Sequence, residues 1–438
     1  MIGSMKVLSM LLAGFVLGYA ISDIGSVESL LNGTAEFGSF WSIVNGLTVV
    51  AVAACGTAVA AARASAPTAT IVAMAALLVV VFQTVGMVPG ILGHWAAAVG
   101  TGVLLGAAAL LSGHHRGAQA ALGVSVVGTG LLGYWLDALM QANDGPVFVW
   151  DVVGAEDDVA PERAIVMVIA AVAAAVTLFL ARRHEVVQPP ETPRILLVGL
   201  ALPVVASVLS WIAADADTRS VDWLGALVGM TAAAVLASLL LPGRDGRLLL
   251  VLFAVSATAL GTSGFAAGDA VRLCASAALL VVGAGIGYRW PQLYIGLGGL
   301  FVIAATSLTE NYVDIPIVSQ FALPLVAAYV LVSALATSPG SLAISLPALF
   351  VMALPATVVS AGYTPSLSMD QTVATRASEP DHLVLSVAGL VVLAVVTGAA
   401  VLQARRSPVV RGNSKWATSF HTPTGSVRQS SSELRPRG

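Results

Sequence analysis

Apolar residues in this chain come in long, nearly unbroken blocks, separated by short segments rich in Gly, Pro and charge. Fourteen blocks stand out: residues 5–22, 40–62, 68–88, 91–112, 118–140, 164–181, 195–214, 221–241, 248–267, 271–288, 292–309, 317–337, 341–361 and 382–403. Each approaches the roughly 20 apolar residues that carry a helix across the hydrocarbon core of a bilayer. The apolarity is continuous within a block and does not alternate over about ten residues, so it predicts helices and not the strands of a membrane barrel. The expected fold is all-α: a polytopic integral membrane protein of about 14 transmembrane helices.

Composition agrees. The chain has 438 residues, 58% hydrophobic and only 10% charged, against about 25% charged in a soluble domain. So little charge cannot cover an ordinary water-facing surface, and the lipid bilayer is the expected solvent and partner. Nothing in the charge pattern points to nucleic acid.

The charges are sorted by side. With both termini in the cytoplasm, the loops between the blocks place 16 of the 20 Lys and Arg inside and 19 of the 23 Asp and Glu outside or at outer helix ends. Arg63, Arg116, Arg182, Arg183, Arg194, Arg244, Arg247 and Arg289 mark inner loops, as the positive-inside rule requires. Trp41, Trp95, Trp135, Trp211 and Trp223 fall at the outer ends of their blocks, where indole rings favour the headgroup level. The expected location is the plasma (inner) membrane, with acidic loops extracytoplasmic. The first block, which follows Lys6, reads as an uncleaved signal anchor.

The longest inner connection, 182–194, holds Pro189, Pro190 and Pro193. It divides the chain into a first lobe of about six helices (1–181) and a second of about eight (195–403). The segment 404–438 is rich in Ser, Thr, Arg and Pro and is expected to be a disordered cytoplasmic tail. No internal repeat is visible in the sequence.

Within the blocks, chemistry is sparse. Gly14/Gly18, Gly102/Gly106 and Gly264/Gly268 have the four-residue spacing that lets helix backbones approach closely, which predicts packing within the bundle. Pro203, Pro324, Pro347 and Pro355 each remove a helix hydrogen bond and free a carbonyl, a feature of static kinks and of broken helices that line transport cavities. Asp137 lies inside the run 131–140, about one turn from its outer end. Asn45, Gln83 and His94 lie in outer halves, and Glu310 at an outer terminus. An ionisable group inside a membrane span marks a functional position because its desolvation must be offset. These five are the candidates for substrate or coupling-ion contact.

Asp269 and Arg272 have the spacing of a local ion pair, and His114 and His115 read as solvated residues of an inner loop. The outer loop 141–163 carries six carboxylates without an EF-hand pattern and reads as solvated. Cys55 and Cys274 fall within blocks and predict neither a disulfide nor a metal site. There is no P-loop, H-E-x-x-H or G-x-S-x-G, so the sequence asks for no cofactor or metal.

Fourteen spans, cytoplasmic ends and a break after the sixth resemble the layout of the multidrug/oligosaccharidyl-lipid/polysaccharide flippase superfamily. That resemblance implies a carrier, a flippase or exporter for a lipid-linked or envelope-related substrate, and no enzyme. A second reading is a membrane glycosyltransferase using polyprenyl-phosphate sugars, with Asp23, Glu28 or Glu36 of the first outer loop as general base or metal ligand. A third is a non-catalytic subunit packed against membrane protein partners.

Overall fold

Every predicted block forms a helix, with ends within a few residues of the sequence boundaries. The computed structural model describes residues 2–24, 38–61, 65–84, 90–113, 115–141, 161–181, 193–215, 221–241, 243–261, 270–306, 308, 316–336, 338–361 and 382–406. The helices are α1 (Ile2–Ile24), α2 (Gly38–Ala61), α3 (Ala66–Thr84), α4 (Gly90–Ser112), α5 (Arg116–Gln141), α6 (Pro161–Ala181), α7 (Pro193–Asp215), α8 (Val221–Leu240), α9 (Arg244–Gly261), α10 (Ala270–Arg289), α11 (Leu293–Thr306), α12 (Pro316–Ser333), α13 (Pro339–Ala361) and α14 (His382–Arg406). Among the described residues there are fourteen helices, and six of them are long and apolar enough over their described stretch to cross a membrane. The tail beyond 406, the connection 182–192, the loop 142–160 and Gly264/Gly268 lie outside the described residues.

The helices pack in a pattern that occurs twice. In α1–α6, α1 lies against α4, α5 and α6, α2 against α4, and α3 against α4 and α6. In α9–α14, α9 lies against α12, α13 and α14, α10 against α12, and α11 against α12 and α14. Shifting these six pairings of the first set by eight gives pairings of the second, while α1 with α2, α4 with α5 and α5 with α6 in the first set, and α9 with α11 in the second, have no comparable counterpart. The sets meet along two seams, α2 and α4 against α13, and α5 against α10, α12 and α13. Helices α7 and α8 pack on each other between the two sets, and α7 touches both α2 and α13.

Glycines make the repeated contact possible. Gly14 and Gly18 set α1 against α5, where methyl groups at these positions would stand 2.8 Å from Leu122 O and 2.6 Å from Val126 O. Gly102 and Gly106 set α4 against the backbone of α2 at Val50 and Ala54. In the corresponding pair of the second set the glycines sit on the other helix: Gly283 and Gly287 of α10 meet Leu325 and Tyr329 of α12. Without a hydrophobic drive between helices in lipid, such backbone proximity and the dispersion contacts it allows are what hold helix to helix. The four-residue spacing at Gly14/Gly18 and Gly102/Gly106 is thus spent on packing inside the bundle. A hydroxyl adds to the first of these contacts, Ser125 Oγ donating to Leu11 O at 2.6 Å.

Burial follows from position. Residues 248–257 of α9 and 327–332 of α12 are buried on all sides, as are 339–349 of α13, in keeping with helices apolar all round. The rim is apolar and exposed: Ile165, Ile169, Val172 and Val176 on α6, Val204 and Val208 on α7, and Val271, Val281 and Val282 on α10 face outward, as lipid-facing surfaces do.

Candidate functional site

Helix directions fix which residues share an end of the bundle. The pairings Gly14–Leu122 with Gly18–Val126, and Gly102–Val50 with Gly106–Ala54, run in the same sense, so α1 is parallel to α5 and α2 to α4. Cys55 meets Gly199 while Thr48 hydrogen-bonds Ser207, so α2 and α7 are antiparallel. Consecutive helices therefore alternate. One end of the bundle gathers Lys6, Arg116, Arg194, Arg244, Arg247, Arg289 and Arg405. The other gathers the last turns of α1, α3 and α5 with the first turns of α2 and α4. All of the sequence candidates in those helices belong to that second end.

Three of the helix positions concerned come together there. His94, in the second turn of α4, packs its ring on Gly46 of α2: a methyl group at position 46 would stand 2.7 Å from His94 Nε2 and 2.9 Å from Cγ2 of Ile24 in α1. Asn45 adjoins Gly46 and Asp23 adjoins Ile24, so α1, α2 and α4 converge at one point with a candidate position on each. Asn45 and Asp23 are described for their backbone alone. Glycine at 46 is what lets the imidazole reach this junction.

Gln83 stands apart from that junction. It is half-buried at the end of α3, on the stripe with Ala76 and Val79 that faces Gly100 of α4. Asp137 is also described for its backbone alone, and its register is informative. On α5, Gly123 meets Leu331 of α12 and Leu346 of α13, and Gly130 meets Phe350 of α13. Position 137 follows at the same seven-residue interval, which returns to nearly the same side of a helix. It thus falls on the stripe of α5 that faces the other set of helices. Glu28, Glu36, Glu310, Asp269 and His114 lie outside the described residues.

The sequence reading passed over the polar groups at the opposite, basic end. Asp245 in the first turn of α9 is 1% exposed and accepts a hydrogen bond from Ser338 Oγ at 3.2 Å, just before α13. Ser338 Oγ also accepts the backbone N–H of Ser341, capping α13. Gln403 of α14 donates to Ser238 O at the end of α8 at 2.7 Å. Gly246 fits between those two partners. The sequence signal for this cluster is Gly243-Arg-Asp-Gly-Arg247, an acid among arginines at a helix start. His115 is exposed, and its Nδ1 accepts the N–H of Ala118.

Among the described residues, Asp245 is the one buried charged side chain. The remaining buried polar groups are neutral, chiefly Ser and Thr, and several hydroxyls bond the carbonyl one turn back, such as Thr129 to Ser125 O and Thr258 to Ala254 O. No group of three or more His, Cys, Asp or Glu among the described residues is placed to hold a metal ion.

No protein-family model matches the chain, and no curated protein is similar to it in sequence. Solved structures are similar in backbone. The human organic anion transporter MFSD10 (TETRAN) aligns with a TM-score of 0.51 at 14% identity, over 92% of this chain and 98% of that one. The xylose transporter XylE from E. coli aligns in a partially occluded inward-open form at 0.47, 13% identity, over 93% and 99%. The same transporter bound to 6-bromo-6-deoxy-D-glucose aligns at 0.46, 13% identity, over 93% and 96%. Only the first is close enough in backbone to carry an inference. The chain is similar in fold to MFSD10. The span count and loop layout had resembled the flippase superfamily named above. The backbone comparison adds similarity to MFSD10; spans and loop charges state which segments cross and in which direction, and are silent on which helix packs on which.

Proposed function

We propose that this chain is a multi-pass membrane carrier working by alternating access, its halves being α1–α6 and α9–α14 with the connection around 182–194 and the α7–α8 pair between them. The observation that carries this reading is the doubled packing pattern in a fold similar to that of MFSD10. Two like bundles that meet only along seams are built to rock against each other around a site between them. The basic end faces the cytoplasm, and the end holding Asp23, Asn45, Gln83, His94 and Asp137 faces outward, in accord with the positive-inside rule.

The fold sets the class of activity and leaves the cargo open. The neutral polar interior among the described residues favours a neutral or amphipathic cargo, because an anion taken from water would need cationic partners. A lipid-linked or envelope-related precursor, exported or flipped, is the finer form of the proposal.

The test is transport by the purified full chain in proteoliposomes, with headgroup-labelled polyprenyl-linked sugars and a panel of neutral amphipaths, with and without a proton gradient. Accumulation or leaflet exchange above empty vesicles is expected. The variant replacing Asp23, Glu28 and Glu36 together by amides should still transport. Sugar transfer by the wild type that this triple variant loses, without any transport, would establish a glycosyltransferase instead.

A further inference from the structure

One patch at the basic end joins the two halves and faces outward. Arg116, the first residue of α5, holds its guanidinium over the ring of Tyr288 at the end of α10, 5.5 Å from the centroid. The next residue, Arg289, holds its own over Trp290 at 5.5 Å. Both arginines are exposed, and so are Tyr288 (52%), Trp290 (60%) and Tyr294 (55%). At 5.5 Å each guanidinium is within cation–π range of its ring, and its N–H donors suit an oxygen anion.

The patch is held in place from within. Tyr329 Oη of α12 lies 3.1 Å from both Trp290 O and Gln292 O and shares its proton between them, fixing the turn between α10 and α11. On the other side of the seam, His115 caps the start of α5. Exposed Trp and Tyr belong at the headgroup level of a bilayer. Guanidinium groups at that depth, beside rings of that kind, meet phosphate. The lipid-facing rim continues directly from the patch along Val281, Val282 and Ile286 of α10.

We propose that this patch binds the headgroup of an anionic phospholipid of the cytoplasmic leaflet, with Arg116 and Arg289 as the phosphate contacts and Tyr288 and Trp290 as the interfacial rings. Because Arg116 belongs to one half and Arg289 to the other, a headgroup held by both spans the α5/α10 seam and favours the arrangement in which that seam is closed. The proposal goes beyond carrier activity and holds whatever the cargo is.

The experiment compares lipid retention by the full chain, using native mass spectrometry after equilibration in mixed micelles of phosphatidylcholine and phosphatidylglycerol. Wild type should retain phosphatidylglycerol in preference. The Arg116→Gln/Arg289→Gln variant should lose that preference by roughly tenfold or more, the scale expected when two arginines leave the headgroup plane. The Arg194→Gln/Arg405→Gln variant removes two exposed arginines from the same end and should keep it, and melting in neutral detergent checks that both variants fold. Equal loss in the two variants would show diffuse attraction to a basic face and overturn the proposal. So would equal retention of the two lipids by wild type, or competition by inorganic phosphate as strong as that by the lipid.

Discussion

Gly199 of α7 lies so close to Cys55 of α2 that a methyl group added at position 199 would stand 2.5 Å from the cysteine sulfur and 2.8 Å from Ile344 Cδ1 of α13. One residue of the inserted pair therefore touches both halves. Pro203, four residues on, removes the amide that would have bonded the Gly199 carbonyl. Helix α7 thus lies as a strap across the α2/α13 seam.

The strap is testable by overpacking. Gly199→Ala should lower stability by about 1–3 kcal/mol, the usual cost of inserting atoms into a packed contact. Cys55→Ala in the same chain should restore part of it by removing the sulfur. Gly225→Ala on α8, where nothing lies within 4 Å of the added carbon, should be neutral. Thermal melting in detergent reads all three, and no change in Gly199→Ala would refute the contact.

The repeated packing makes a paired prediction. Gly102→Val in α4 and Gly283→Val in α10 each drive a side chain into the backbone of the partner helix, at Val50 and Leu325. Backbone cannot swing aside as a side-chain tip can, so both variants should fail to yield monodisperse protein. Gly285→Val, two residues from Gly283 with open space around it, should behave as wild type on size-exclusion chromatography.

At the basic end, Asp245→Ala takes the carboxylate away from the half-buried Ser338 hydroxyl, which keeps only Ser341 Oγ beside it, and removes a negative charge from the start of α9. The loss expected is about 1–3 kcal/mol. Asp245→Asn retains an acceptor and should lose less. The variants Asp245→Ala and Ser338→Ala should be non-additive in a double-mutant cycle, because each breaks the same bond. Additive losses in melting temperature would mean that the two residues act separately.

How much of this was legible beforehand depends on what each feature rests on. The spans were readable because lipid as solvent demands long apolar blocks, and their ends were readable because Arg, Asp and Trp partition between water, headgroup and hydrocarbon. Gly14/Gly18 and Gly102/Gly106 were visible as spacing. Gly283/Gly287 has the same spacing and the matching role, but among 43 glycines spacing alone does not separate contact from chance. The doubled pattern left no trace in the sequence, since apolar side chains of many kinds fill the same packing geometry. The nearness of positions 23 and 45 to His94 was unreadable for the same reason: it depends on α1, α2 and α4 converging at Gly46. Asp23 and His94 had been assigned to rival functions.

Asp137 is the sharpest remaining test of carrier action. A carboxylate in a membrane span costs about 3 kcal/mol at the bilayer centre and less towards an end, so position 137 needs something to offset it. Were its role only to mark the headgroup level, its register on α5 would not matter. Its register is that of Gly123 and Gly130, which face α12 and α13 across the α5 seam. On the proposed carrier reading, a carboxyl group at position 137 would load and release a proton as the seam opens and closes. Asp137→Asn should therefore abolish gradient-driven accumulation in proteoliposomes, by roughly tenfold or more if proton transfer is the driven step, while exchange of cargo across the membrane continues and expression is unchanged. Asp137→Glu should keep part of the driven transport. Moving the carboxylate half a turn, by pairing Asp137→Asn with Leu139→Asp, should not rescue it. Full accumulation by Asp137→Asn, or rescue by a carboxylate on the wrong face, would remove Asp137 from the coupling path.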